Sequence, residues 1–254
     1  MRNLIITSVS ILNFPLTSDE RVVSITGDNA RDSWFILTDL GTLYISQPPK
    51  PFSTISLSAE ELLPPRWFSA VFVMDIHSIV CLSHNGQIMT VDIETFAVEE
   101  EGCVEEGILA AAWSPDQSRL LIISGNNTFL LLSSSFDALQ EVSLSEPLNS
   151  SSFALISWRG AGDLVSLYFQ SSDAHSSPSC VYIYSNNLDL VAIGKNITES
   201  PEESQLKGLF PALAFCPNGS IIALAQQLPR RKLQIIFLEP NGLRHGEFDV
   251  KVDT

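Results

Sequence analysis

This sequence is short of basic charge, of long apolar runs and of paired cysteines, and each shortage removes a class of protein. Lysine and arginine total 14 against 29 acidic residues, a formal net charge of −15. A surface this negative repels phosphate backbones, so the chain alone is not expected to hold nucleic acid. The longest clean apolar run, Ile108 to Trp113, is six residues. A helix crossing a bilayer needs about 20, so none is encoded. Cys81, Cys103, Cys180 and Cys216 lie far apart, with no Cys-x-x-Cys pair. They read as small core hydrophobes in a reducing compartment rather than as a zinc site or a disulfide framework.

Catalytic grammar is missing as well. There is no Gly-x-Gly-x-x-Gly, no P-loop and no Gly-x-Ser-x-Gly, so nothing cradles phosphate or sharpens a serine. The four histidines, His77, His84, His175 and His245, have no partner at metal-ligand spacing and read as structural or surface residues. No catalytic residue, no cofactor and no metal is therefore expected. The opening MRNLIITSVSILNF is interrupted by Thr7, Ser8, Ser10 and Asn13 and lacks a small-x-small cleavage site. A first strand is expected there rather than a signal peptide. Without a signal, the Asn-x-Ser/Thr matches at Asn126, Asn149, Asn196 and Asn218 read as chance in Ser-rich loops.

What the chain does have is strands. It is 45% hydrophobic but only 17% charged, which suits strands buried on both faces, as in stacked sheets. Short apolar segments recur, broken by turn signals such as Leu40-Gly41, His84-Asn85-Gly86, Ser114-Pro115-Asp116-Gln117, Cys216-Pro217-Asn218-Gly219-Ser220 and Pro240-Asn241-Gly242. Asn-Gly is the strongest of these, because both residues tolerate positive φ. Anchoring aromatics mark a period: Phe72, Trp113, Trp158 and Phe215 are separated by 41, 45 and 57 residues. The long last interval absorbs a Ser-rich loop at 171–179 and a polar loop from Lys195 to Lys207.

Four strands per unit, a period near forty and no convincing helix indicate an all-β, WD40-like β-propeller. About five four-stranded blades fit between residues 20 and 249, in one domain spanning 1–254. The turns of the AWSPD and AFCPNG segments are expected between first and second strands, each beside an aromatic wedged between neighbouring sheets. Rings of this repeat type commonly have seven blades. The repeat is still in register at Thr254, so the expectation is an incomplete arc, with further blades following in a longer product.

Three segments go beyond blade grammar: Met1-Arg2-Asn3-Leu4, AAAWSPDQSRLLIIS (110–124) and PALAFCPNGSIIALAQQ with IIFLEPNGLRHGEF (211–248). They resemble the largest subunit of the Elongator complex in its first propeller. The specific element is a Phe-x-x-Asn-Gly-Leu-x-His-Gly-x-Phe signature following a Pro/Gly blade turn. Phe237, Asn241, Gly242, Leu243, His245, Gly246 and Phe248 match it. The family positions carried over, as structural residues, are Trp113, Pro115, Asp116, Trp158, Gly160, Pro217, Gly219, Asn241, Gly242, His245 and Gly246. The chain departs from the pattern between Leu144 and Phe153, where the family carries a longer segment before its Trp-Arg-Gly turn. That shortening bears on the fourth blade and on ring closure.

The resemblance implies a non-catalytic scaffold that supports modification of the tRNA wobble uridine at carbon 5. Its implied partners are the other Elongator subunits, including the catalytic subunit and the second propeller subunit. It reaches tRNA only through the complex and makes no membrane contact. The dimerisation region of the family is absent from this sequence. Cytoplasmic residence is expected, with a nuclear share left open.

Three further features are weighed. Glu99, Glu100, Glu101, Glu105 and Glu106 around Cys103 read first as a solvated blade edge, and second as a surface for a basic partner. Arg230, Arg231 and Lys232, with Arg244 near in sequence to the same hairpin, are the one basic concentration and a candidate contact for RNA or an acidic partner. His245 is expected to bond a turn backbone. Two rival readings stand beside the scaffold. One is an adaptor propeller unrelated to Elongator; the other is a propeller hydrolase using channel carboxylates such as Asp39 or Asp75.

Overall fold

The computed structural model describes residues 16–17, 19–28, 30–47, 50–57, 66–126, 128–143, 153–170, 180–195, 212–228 and 232–250. Every regular element among them is a strand, and the strands form five antiparallel sheets of four. Sheet 1 holds β1 (Val22–Asp28), β2 (Ser33–Thr38), β3 (Thr42–Ser46) and β4 (Ser53–Ser56). Sheet 2 holds β5 (Trp67–Val73), β6 (Ser78–Ser83), β7 (Gln87–Asp92) and β8 (Val98–Cys103). Sheet 3 holds β9 (Ile108–Trp113), β10 (Arg119–Ser124), β11 (Thr128–Ser133) and β12 (Ala138–Ser143). Sheet 4 holds β13 (Phe153–Trp158), β14 (Leu164–Gln170), β15 (Cys180–Ser185) and β16 (Leu190–Lys195). Sheet 5 holds β17 (Ala212–Phe215), β18 (Ile222–Leu228), β19 (Lys232–Leu238) and β20 (Arg244–Val250).

In each sheet, hydrogen-bonded order equals chain order. Short connections cause most of this, because in all hairpins but β14–β15 three to six residues join the strands and return the chain antiparallel to its neighbour. The expected strand at residues 4 to 14 lies outside the described residues. The shortened stretch between Leu144 and Phe153 does not cost the fourth blade, whose four strands all form.

Burial shows which strands sit inside the stack. Ile79, Val80 and Cys81 on β6, and Leu120 to Ile123 on β10, are all essentially inaccessible. Both faces of these strands are therefore covered, which explains why they read as continuous apolar runs rather than alternating ones. The fourth strands alternate or lie open: β8 shows Glu99, Glu100, Glu101 and Cys103 exposed. Of the four cysteines, only Cys81 is a core residue, and burial pushes its thiol well above the ordinary value. Cys103 is exposed at the end of β8, an outer strand whose successive residues Glu99, Glu100 and Glu101 are open on both faces.

Four core clusters join the sheets in chain order. Sheets 1 and 2 meet around Phe35, Leu43, Phe72 and Ile79; sheets 2 and 3 around Val80, Leu82, Ile108 and Leu120. Sheets 3 and 4 meet around Leu121, Phe129, Trp158 and Leu167; sheets 4 and 5 around Val181, Ile183, Leu224 and Leu238. The periodic aromatics sit at these junctions, each at or near the end of a first strand. Phe72 stacks with Phe35 of sheet 1 at 6.0 Å, and Trp113 packs in the junction of sheets 2 and 3. Trp158 donates its indole N–H to the Ala112 carbonyl of sheet 3 at 3.1 Å, and Phe215 packs against the core between sheets 4 and 5.

At the opposite end of the sheets, backbone meets backbone. The amide N–H of Trp67 donates to Asp39 O, and that of Ile108 to His84 O, so the second and third blades are each hung from the second turn of the one before. Val104 N–H likewise reaches Gly86 O at 3.0 Å. A Cβ at Gly86 would stand 2.0 Å from the Val104 carbonyl oxygen, and its φ is +102°. Only glycine serves there.

A charged fastening at Glu20 ties the strands of sheet 1 together. The Glu20 carboxylate accepts hydrogen bonds from the hydroxyls of Thr38, Thr42, Tyr44 and Thr17 and from the Thr17 amide. Burial pulls its pKa up, but these donors together outweigh it and hold the group below the usual 4.5. A depressed carboxylate contributes stability that is complete above its unfolded value and is lost as pH falls through the folded one. Glu20→Gln should therefore lower stability by about 1 kcal/mol at pH 7, and the gap to wild type should close on acidification through that window. Chemical denaturation at a series of pH values measures it.

The wedge tryptophans provide a second test. Trp158 has a partner for its N–H, whereas Trp113 Nε1 is buried without one. Trp158→Phe should cost about 1–2 kcal/mol more than Trp113→Phe, because only the first orphans an acceptor. Equal losses in thermal denaturation would contradict the assignment.

Candidate functional site

The signature residues converge on one rim, where first strands turn into second and third into fourth. In the β9–β10 turn, Pro115 sets the backbone and Asp116 organises the loop. Its carboxylate accepts from Ser114 Oγ at 2.6 Å, from Ser118 N at 3.2 Å and from Ser118 Oγ at 2.9 Å. The Ser114 hydroxyl, then the Ser118 donors, hold the Asp116 pKa below the ordinary range. The β17–β18 turn repeats the arrangement with softer atoms. Asn218 Oδ1 accepts from Cys216 Sγ at 2.7 Å, Ser220 Oγ at 2.7 Å and Ser220 N at 3.1 Å, while Ile221 N donates to Cys216 Sγ at 3.1 Å. Cys216 is thus a turn residue, not the core hydrophobe expected of it.

The β13–β14 turn is held differently, by an Arg159 guanidinium forked onto the Asp163 carboxylate. This turn links its neighbours on both sides. Trp158 bonds back to sheet 3, while the Arg159 stem reaches forward over Gly219 of sheet 5. A Cβ on Gly219 would lie 2.7 Å from Arg159 Cδ, and Gly219 already has φ +71°. The Cβ positions of Gly160 and Gly162 would lie 3.6 Å from Pro217 O and 3.8 Å from Pro115 Cδ. Gly219 therefore lets the β17–β18 turn close on Arg159, while Gly160 and Gly162 bring the three turns within ordinary contact distance along one rim. Gln117 extends it to sheet 2: its amide donates to Phe72 O at 2.7 Å and accepts from Met74 N at 3.0 Å.

The β19–β20 turn completes the rim. Gly242 has φ +84°, and its Cβ would stand 2.8 Å from Ile193 O, so the turn rests on the backbone of β16. Asn241 accepts from Leu243 N at 2.9 Å and donates to Glu239 Oε2 at 3.2 Å. His245 does not bond backbone as expected; its Nδ1 lies 3.4 Å from Glu239 Oε1, because the imidazole projects from the exposed side of β20. Gly246 has neither positive φ nor any atom within 4 Å of a would-be Cβ, and nothing in the structure explains a glycine there.

Other sequence candidates fall elsewhere. Lys232 opens β19 and so lies at the far end of the sheet, about 20 Å from the signature turn at roughly 3.3 Å per strand residue. Arg230 and Arg231 lie outside the described residues. Arg244 opens β20 at the signature rim and pairs with Glu247, so strand direction separates it from Lys232. Asp39 follows β2 and Asp75 follows β5; both are turn residues rather than inner-strand acids, at opposite rims, and they do not converge. His84 stacks on Phe68 at 4.6 Å, with Nδ1 3.0 Å from Ile108 O, and His77 sits in the β5–β6 turn. His175 lies outside the described residues. Among the described residues, no three His, Cys, Asp or Glu side chains gather as a metal would require.

Two clefts were not visible in the sequence. One, of about 370 Å³, lies between sheets 2 and 3, with Asp92, Glu99 and Glu101 facing Ser134, Ser135 and Phe136. The other, of about 570 Å³, opens beside the rim on sheet 5, lined by Cys216, Pro217, Ser220, Ile221, Phe237 and His245. Sheet stacking creates the first, and the β17–β18 turn beside β19 and β20 of one sheet the second, so no local motif announces either.

The Arg159–Gly219 contact gives a direct test of the rim. Gly219→Ala should cost about 1–2 kcal/mol from its left-handed backbone, plus the displacement of the Arg159 stem. Adding Arg159→Ala should recover the second part, so the double variant should be more stable than the sum of the singles predicts. Additive losses in urea denaturation would show that the turns do not press on one another.

The comparisons agree with this architecture. The family model of the ELP1 first N-terminal β-propeller matches residues 1–155 and 148–254. Elongator complex protein 1 of mouse is 26% identical over 230 residues, covering 76% of this chain and 17% of the mouse protein. That of Schizosaccharomyces pombe is 28% identical over 211 residues, covering 68% of this chain and 17% of the relative. That of Saccharomyces cerevisiae is 23% identical over 286 residues, covering 85% and 21%. The chain thus spans about a fifth or less of the length of these relatives. Among solved structures, a chain of the mitotic checkpoint complex superposes with TM-score 0.66 at 12% identity, covering 93% of this chain and 69% of its own length. The Cps50 (Swd1) β-propeller domain of Myceliophthora thermophila superposes with TM-score 0.64 at 11% identity, covering 91% and 74%. These last two show the fold alone. With the family model running the length of the sequence and its signature residues assembled on one rim, the chain belongs to the family of the first N-terminal β-propeller of Elongator complex protein 1.

Proposed function

We propose that this propeller is a non-catalytic scaffold of an Elongator-type assembly, supporting modification of the tRNA wobble uridine at carbon 5. The observation that carries the reading is the whole-chain family match, joined to the signature residues' common rim. A rim of interlocked turns is a rigid platform. It holds exposed groups at fixed spacing without ordering loops on binding, and so lowers the entropic cost of docking. Its partners in this reading are the catalytic subunit and the second propeller subunit. tRNA is reached only through them, in keeping with the −15 formal charge. Residence is cytoplasmic, with any nuclear share set by the assembly. The family match speaks against an adaptor outside the Elongator family, and the separation of Asp39 from Asp75 gives a hydrolase no carboxylate pair at those two positions.

Co-purification tests the proposal. A tagged chain should recover the catalytic Elongator subunit from cells. A variant with Arg159→Ala and Asn241→Ala on the rim should recover several-fold less while remaining folded. A folded wild-type chain that recovers none of that subunit would overturn the reading.

A further inference from the structure

The sequence places asparagine directly before glycine at Asn85-Gly86, Asn218-Gly219 and Asn241-Gly242. This pair is chemically labile. Glycine has no side chain to shield its backbone nitrogen, so that nitrogen can reach the asparagine side-chain carbonyl carbon. All three asparagines are exposed, and in each turn the glycine N–H donates to a carbonyl three residues back. The distances are 3.1 Å from Gly86 to Ser83 O, 2.8 Å from Gly219 to Cys216 O and 2.8 Å from Gly242 to Glu239 O. Intrinsic reactivity and backbone protection are thus nearly alike, and the side chains separate the three.

Two of the side chains are held. Asn218 Oδ1 accepts from Cys216 Sγ, Ser220 Oγ and Ser220 N. Asn241 accepts from Leu243 N and donates to Glu239 Oε2. Swinging either Cγ over its glycine nitrogen breaks these bonds. No hydrogen bond among the described residues holds the Asn85 side chain, and the Gly86 N–H has the longest reach of the three. The Asn85 turn also carries the junction of sheets 2 and 3. His84 N–H donates to Arg66 O at 2.8 Å, His84 O accepts from Ile108 N at 3.1 Å, and Gly86 O accepts from Val104 N at 3.0 Å. A would-be Cβ on Gly86 stands 2.0 Å from Val104 O, and one on Gly107 stands 2.5 Å from His84 O, so these backbones have no spare room.

We propose that Asn85 is a site of spontaneous deamidation and isomerisation, and the first of the three at which this propeller ages. The Gly86 nitrogen bonds to Asn85 Cγ, the bond from Cγ to the side-chain nitrogen breaks, and ammonia leaves with the proton given up by the Gly86 N–H. Water then opens the succinimide ring. Cleavage of the new bond to Cγ leaves aspartate. Cleavage of the bond to the original Asn85 main-chain carbonyl leaves isoaspartate, with one more carbon in the main chain. That carbon has no place in a turn packed against Val104 and Gly107, so the bonds from Val104 and Ile108 are lost and the third blade loosens from the second. The inference is independent of the Elongator reading.

Peptide mass mapping of the 254-residue chain, held at mildly alkaline pH for weeks, tests it. The Asn85 peptide should trade its amino group for a hydroxyl about tenfold faster than the Asn218 and Asn241 peptides, which must first give up two or more hydrogen bonds. In urea that unfolds the chain, the three rates should converge. Hydrogen exchange on the aged chain should find the Val104 and Ile108 amides several-fold less protected, whereas Asn85→Gln aged alongside keeps them protected. Asn85→Ser replaces that variant if circular dichroism shows it unfolded. The proposal is overturned if Asn85 is no faster than either other site in the folded chain, if the rate difference survives in urea, or if the aged chain keeps both amides protected.

Discussion

The structure depends on apolar sheet faces pressed together around an aromatic wedge. Each sheet is too thin to bury its own side chains, so its second and third strands become core only when neighbours cover both faces. Phe72, Trp113, Trp158 and Phe215 stand at those junctions, and the turns beside them follow from that position. A first strand that ends in a large wedge must turn sharply outside the stack. Pro115 and Pro217 begin such turns, and Asp116 and Asn218 satisfy their backbone N–H groups. Rim chemistry and core packing are two consequences of one arrangement.

The fold was legible because its signals are local and repeated. The turn at Asn85-Gly86, the Pro-Asp and Pro-Asn turns and the spacing of the four aromatics each needed only a few neighbouring residues to be read. The order of strands within a sheet followed from turn length. Side-chain partners across sheets were not legible. Trp113 and Trp158 look alike in sequence, yet only one has a carbonyl for its indole, because Ala112 O is presented by a different blade. Gln117 bridges to Phe72 and Met74 across more than 40 residues, and no pattern in a single chain marks such a clamp.

Residue type also misled where geometry, not hydrophobicity, decides the role. Cys216 sits in an apolar stretch but does the work of Ser114, with its sulfur accepting an amide N–H as the hydroxyl oxygen does. The bonds from Ser220 and from the Ile221, Ser220 and Gly219 amides outweigh burial and lower the pKa of this thiol. His245, read as a backbone partner, faces the Glu239 carboxylate instead. Arg244 and Lys232 are close in sequence, yet a β-hairpin carries them to opposite ends. Distance along a strand pair is the reverse of distance along the chain.

Because each sheet touches only the sheets beside it, resistance to opening is graded along the stack. Sheet 3 is clasped by complete junctions on both sides, and its β10 has no accessible apolar side chain. Because contacts run from sheet to sheet, loosening one junction is felt first by the two sheets that share it, and amide protons should exchange last on β10, which neighbours cover on both faces. The wedge tripeptide Trp158-Arg159-Gly160, which touches sheets 3 and 5 from sheet 4, is the stitch that couples three of these sheets.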